Sequence, residues 1–345
     1  MSAVEGHTRG DSLLERLAAG PVVCAEGYVF ELERRGYVQA GTFVPEVVLE
    51  HPEQVRGLHE QFVHAGSDVV EALTYYAHRD KLRVVGKEDR LEQLNRQALE
   101  LACDVADATG TLLAGNVCNT NVYDPTDPAS RAAVREMFVE QVRWAAEAGV
   151  DYVIGETFRN GDEALLALEV IRSFGLPAVI TLAAGRTPET REGWSIAEAC
   201  RRLADAGADV VGLNCIRGPD TMLPLLADLV DAVDVPVAAL PVPYRTTAHE
   251  PTMQSLSDPE APGPGATSFP SALDPFTCTR YEVARFTDAA VAAGVAYLGL
   301  CCGAGPHHVR SMAERLGRTP PASAYSADMS RHSFLATDPA LAARM

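Results

Sequence analysis

The chain lacks a basic patch. Its 345 residues carry 29 Lys and Arg against 47 Asp and Glu, a formal net charge of -18, and nowhere do cations cluster against that acidic background. A nucleic-acid or anionic-membrane partner is thereby disfavoured, and the charge is read as an aid to solubility. Also missing is any run near the roughly 18 apolar residues that a membrane span requires, or an N-terminal apolar stretch resembling a signal peptide. The expectation is a cytoplasmic protein. Its eight cysteines include no Cys-X-X-Cys pair. In a reducing compartment they are not a disulfide framework, which leaves core packing, metal binding or catalysis for each.

What the chain does have is apolar runs that end in thiols. Tyr297-Leu298-Gly299-Leu300-Cys301-Cys302-Gly303 closes in two adjacent cysteines and a glycine, and Val210-Val211-Gly212-Leu213-Asn214-Cys215 closes in a third cysteine. Each run reads as a short buried strand of the kind used in parallel sheets. Active sites of α/β barrels and open α/β sheets form at the carboxyl ends of the strands, so the three thiols would share one rim. A borderline-soft metal such as Zn2+ suits a three-thiolate rim. The other five, Cys24, Cys103, Cys118, Cys200 and Cys278, are read as small core hydrophobes. Glu26 stands at the end of the first strand-like run beside Gly27, a place that suits a ligand and a solvated loop residue equally.

One helix-to-strand join recurs. Ala65-Gly66-Ser67-Asp68-Val69-Val70, Ala148-Gly149-Val150-Asp151-Tyr152-Val153 and Ala206-Gly207-Ala208-Asp209-Val210-Val211 share a form that Ala293-Gly294-Val295-Ala296-Tyr297-Leu298 varies by one residue. The glycine closes a helix in the left-handed conformation, and the β-branched or aromatic run opens the next strand. Further strand-like runs bring the set to positions near 22, 69, 111, 151, 178, 209, 237 and 296. Eight strands alternating with helices favour an α/β (β/α)8 TIM barrel over a doubly wound open sheet. Cys215 then ends strand six and Cys301-Cys302 end strand eight. A helix is expected from Ser12 to Ala19. Residues 1–11 read as disordered, 12–317 as the barrel, about 246–277 as a Pro-, Ser- and Gly-rich insertion after strand seven, and 318–345 as a tail draped over the barrel.

At these residues the chain resembles a known family. Gly212-Leu213-Asn214-Cys215 with Gly299-Leu300-Cys301-Cys302-Gly303 is similar to the zinc signature of the homocysteine S-methyltransferases. Phe30-Glu31-Leu32-Glu33-Arg34-Arg35-Gly36-Tyr37, Glu50-His51-Pro52-Glu53, Asp80-Lys81-Leu82 and Pro306-His307-His308-Val309-Arg310 extend the likeness over most of the chain, in particular to the betaine-using members. The resemblance implies a zinc ion held by Cys215, Cys301 and Cys302. It implies transfer of a methyl group from an onium donor, betaine-like or sulfonium, to the zinc-bound thiolate of homocysteine, giving methionine. No catalytic side chain beyond that thiolate is called for. It also implies that Glu26, Gly27 and Glu156 serve the acceptor, and that Tyr28, Phe43, Tyr75 and Tyr76 offer aromatic faces to the onium. Thr157, Asn214 and His332 complete the implied substrate site.

The departures from the family pattern fall on donor and acceptor rather than on the metal. Ala25-Glu26-Gly27 stands where the betaine-using enzymes have Asp-Gly-Gly, Thr157 where they have a tyrosine, and Leu240-Pro241 where they have a glutamine. The chain also stops at Met345, without the long C-terminal arm through which mammalian members oligomerise. A homo-oligomer would have to form without it. The donor is therefore left open, as is a related zinc thiol methyltransferase with another acceptor. Readings from other classes are a vicinal-dithiol redox protein and a non-catalytic zinc scaffold, which would need a fourth protein ligand.

Overall fold

A computed structural model describes residues 11–261, 263–332 and 339–343. Eight strands, β1 (Val22–Ala25), β2 (Val69–Glu71), β3 (Leu112–Cys118), β4 (Tyr152–Phe158), β5 (Ala178–Leu182), β6 (Val210–Asn214), β7 (Val237–Leu240) and β8 (Val295–Leu300), alternate with helices. They pair in parallel and in chain order, and β8 pairs back on β1 to close the barrel. The open-sheet alternative is thereby excluded, and every expected strand is present.

The recurring join has a physical explanation beyond its glycine. Gly66, Gly149, Gly207 and Gly294 all sit at positive φ, between 71° and 109°, where a side chain would be strained. Two residues after the glycine, Asp68 accepts a hydrogen bond from the Val23 N–H at 2.8 Å, Asp151 from Leu113 at 2.7 Å and Asp209 from Ala178 at 2.8 Å. The backbone N–H of the same aspartates donates to the carbonyl of Val23, Leu113 and Ala178. Each aspartate thus clamps the start of the neighbouring strand from both sides, satisfying an N–H that has no ladder partner there. At the fourth join the residue is Ala296, which cannot accept such a bond.

Strand residues alternate between two cores. One set, including Val22, Cys24, Val69, Leu112, Ile154, Val179, Val210 and Leu240, fills the barrel interior, where the Tyr152 and Tyr297 hydroxyls meet at 2.9 Å. The other set packs outward against the helices. The helix expected from Ser12 to Ala19 is present as Leu13–Ala19, opened by a Ser12/Glu15 capping box, and its Leu13 joins the interior cluster. Residues 1–10 of the segment expected to be disordered lie outside the described residues.

The insertion between β7 and the helix Arg280–Ala292 is built of short turns, Met253–Ser255, Pro264–Ala266 and Asp274–Phe276. Beyond the helix Pro306–Arg315, the Arg318 guanidinium binds the Asp68 carboxylate and the Pro21 carbonyl, which ties the tail to the amino-terminal ends of β1 and β2. Among the described residues no helix is long and apolar enough to cross a membrane.

Candidate metal centre and substrate cavity

Cys215 follows β6 and Cys301-Cys302 follow β8, and the end of β7 lies between them. The Cys215 N–H donates to the Leu240 carbonyl at 2.9 Å and the Cys301 N–H to the Pro241 carbonyl at 3.0 Å. Leu240-Pro241 is thus the ruler that sets the spacing of the two thiol-bearing ends. Cys215 is held at φ 54°, a conformation rare for a side-chain-bearing residue and frequent at functional sites. The three sulfurs lie within 4.8 Å of one another, with Cys301 and Cys302 3.9 Å apart. A tetrahedral centre with metal–sulfur bonds of about 2.3 Å places its sulfurs about 3.8 Å apart, so the donor set fits a soft or borderline metal. The group holds three thiols and no fourth His, Cys, Asp or Glu among the described residues.

Within this trio, hydrogen bonds from Cys301 and Cys302 hold the Cys215 thiol well below its usual range. Burial pushes Cys301 up. Any cation among the three would favour the thiolates together.

Beside the thiols three buried glutamates converge. Glu26 follows β1, Glu71 ends β2 and Glu156 lies within β4. Two asparagines knit them. The Asn116 amide donates to Glu71 at 2.5 Å and to Glu156 at 2.6 Å. Asn214, with no exposed surface, donates to Glu156 at 2.6 Å and accepts from the Thr157 N–H at 2.9 Å. Burial raises all three carboxyls, and Glu156 is pushed up to about 7. For Glu26 and Glu71 the charge of Glu156 adds to the rise.

A narrow cavity lies between these groups, lined by Glu26, Tyr28, Glu71, Tyr75, Asn116, Glu156, Cys301 and Cys302 with Val29, Ala72 and Leu73. The sequence-selected residues therefore divide. Glu26, Tyr28, Tyr75, Glu156, Cys301 and Cys302 reach the cavity. Thr157 and Asn214 stand behind it, turned to Glu156 and to each other. Gly27 serves a close approach, since a Cβ there would collide with the Ala304 carbonyl. Phe43 is buried in a stack on Phe30 with ring centroids 5.1 Å apart. Tyr76 lies off the cavity wall, its hydroxyl held by Asn121 at 3.0 Å and its ring covered by the Lys81 ammonium 4.2 Å from the centroid. His332, beyond the turn Met329–Arg331, is not among the lining residues.

Two polar lining residues escaped the sequence reading, Glu71 and Asn116. Glu71 closes Val69-Val70-Glu71 as Glu26 follows the first strand-like run, so the strand-end reading that singled out Glu26 would have found it. Asn116 interrupts the apolar run of β3, a buried polar group that needs a partner.

Comparison with known proteins bears on the family and the fold. The family model described as homocysteine S-methyltransferase matches residues 23–316. Betaine–homocysteine S-methyltransferase 1 of Rattus norvegicus is 35% identical over 333 residues, covering 94% of this chain and 80% of its own length. S-methylmethionine–homocysteine S-methyltransferase BHMT2 of Mus musculus is 34% identical over 328 residues, covering 93% and 87%. Among solved structures, the metallated form of the homocysteine methyltransferase MmuM from Escherichia coli superposes with a TM-score of 0.68 at 20% identity, covering 88% of this chain and 100% of that one. At that identity the likeness is one of fold.

Proposed function

The chain belongs to the homocysteine S-methyltransferase family, and from that premise we propose that it moves a methyl group from an onium donor to the sulfur of homocysteine, giving methionine, at a zinc ion held by Cys215, Cys301 and Cys302. The observation that carries the reading is the cluster of three thiols, two of which, Cys301 and Cys302, border one cavity together with three carboxylates and two tyrosine rings. Cys215, Cys301 and Cys302 would hold the zinc, which would supply a binding place for the acceptor thiol and lower its pKa so that it is ionised at neutral pH.

The protein's own groups then have distinct tasks. Glu156, fixed by Asn116, Asn214 and Thr157, offers a carboxylate to the acceptor's ammonium, and Glu26 faces the same space. Tyr28 and Tyr75 present rings to the onium, where cation–quadrupole attraction is worth about 0.5–2 kcal/mol per ring. The bond that forms is sulfur to methyl carbon. The one that breaks leaves its electron pair on a neutral amine or sulfide, so no general acid is needed.

Glycine betaine need not be the preferred donor. Thr157 stands where the betaine-using enzymes carry a tyrosine, and its hydroxyl is turned to Glu156 at 3.0 Å. S-methylmethionine, dimethylsulfoniopropionate or a bulkier betaine is expected to be used as well or better. The test is kcat/KM for methionine formation from homocysteine across this donor panel, with metal analysis of the same preparation. Glycine betaine far ahead of every other donor would refute the selectivity reading. No methionine from any onium would refute methyl transfer.

A further inference from the structure

We propose that Glu71 is the third leg of a tripod, with Glu26 and Glu156, that takes the primary ammonium of the amino-acid acceptor. This deepens the reading above and rests on the acceptor being homocysteine.

The geometry is that of a three-point cation seat. An oxygen of Glu26 lies within 4.8 Å of one on Glu71 and of one on Glu156. Glu71 and Glu156 accept from the same Asn116 nitrogen, at 2.5 and 2.6 Å, so those two oxygens are themselves close neighbours. The three carboxylates thus border one space, and an ammonium set there can donate to them through N–H···O bonds of about 2.7–2.9 Å. An ammonium has three such donors to give and no acceptor.

A second observation, independent of the carboxylates, points to a ligand that donates. Asn116 spends its amide nitrogen on Glu71 and Glu156, and its carbonyl oxygen, in a residue 4% exposed on the cavity wall, has no partner among the described residues. Glu26, 7% exposed, likewise has one oxygen without a partner. No Lys or Arg lines the cavity. The chamber is rich in acceptors and poor in donors, and a buried acceptor left unpaired is costly, so its occupant must bring N–H groups.

The tripod also separates the two cations that the reaction requires. A quaternary ammonium or tertiary sulfonium has no N–H and cannot bridge three oxygens; it is left to the tyrosine rings. The acceptor's ammonium fits the oxygens and gains little from the rings.

The test compares L-homocysteine with 4-mercaptobutanoate, the same thiol without its amino group, by calorimetric titration of the zinc-loaded enzyme. The wild type should bind homocysteine at least tenfold more tightly. Glu71→Gln should cost homocysteine about tenfold and leave 4-mercaptobutanoate unchanged, while Glu71→Asp keeps part of the preference; thermal midpoints of both variants report folding. Equal loss for both thiols in Glu71→Gln, or none for either, would overturn the tripod. So would a second metal ion per chain that departs with Glu71→Gln, since Cys24, Glu26 and Glu71 also lie close enough to share one. Binding with this selectivity but without methyl transfer would uphold the tripod and sink the transferase reading instead.

Discussion

The Thr157 backbone N–H donates to the Asn214 side-chain carbonyl at 2.9 Å, tying together the carboxyl ends of β4 and β6. Both ends turn through the left-handed region, Thr157 at φ 62° and Cys215, next to Asn214, at φ 54°. Neither residue is a glycine, so the conformation has to be held from outside. Asn214 supplies that hold while its nitrogen fixes Glu156. Asn214→Ala should therefore cost about 1–3 kcal/mol in urea unfolding, from unpaired buried groups, and should raise KM for homocysteine although Asn214 does not line the cavity. A variant with native stability and native KM would show that the strand ends hold themselves.

Under the proposed three-thiol ligand set, Cys215→Ser should remove most of the bound metal, because a serine hydroxyl is a poor replacement for a thiolate. Metal content per chain after dialysis is the measurement. Full zinc occupancy with full activity would dismiss Cys215 as a ligand.

The two adjacent tyrosines should respond differently. Tyr75 lines the cavity, whereas Tyr76 already faces the Lys81 ammonium. Tyr75→Leu is expected to raise KM for every cationic donor by roughly 2- to 30-fold, the span of a cation–π contact worth about 0.5–2 kcal/mol. Tyr76→Leu should cost less. The reverse order of effects would move the onium to the Tyr76 side.

Acid should unfold the protein through buried histidines that are not themselves part of the cavity wall. Burial pushes His59 down to about 3, and His78 and His308 down to about 4. Each has a folded pKa below the unfolded value of about 6.5, so as pH falls the unfolded chain takes up protons first. Their contribution to stability is intact above about pH 6.5 and is lost progressively towards pH 4, at up to about 1.4 kcal/mol per pH unit for each histidine. His59, whose ring meets Tyr28 edge-on with centroids 4.8 Å apart, can be replaced by a non-titrating ring. His59→Phe should flatten the fall of unfolding free energy between pH 6.5 and 4. An unchanged slope would assign acid lability elsewhere.

The architecture was legible because its signals are periodic and repeated. The Gly-X-Asp joins mark where helices stop and strands start, and the aspartate proves to be as structural as the glycine. The thiols were legible because strand ends gather at one rim in this topology. Other parts of the site obey no such rule. Tyr75 and Tyr76 are neighbours in a loop, and only the backbone turn at Tyr76, φ 58°, decides which ring meets the cavity. Asn116 is visible as a buried polar residue, but its hold on both Glu71 and Glu156 depends on the stagger of β2, β3 and β4. Phe43 was selected through the family likeness, and its stack on Phe30 is set by packing rather than by sequence pattern.

The hydroxyl pair of Tyr152 and Tyr297 has a kinetic consequence. It plugs the barrel axis, so the cavity has a floor and traffic must pass through the rim where the loops meet.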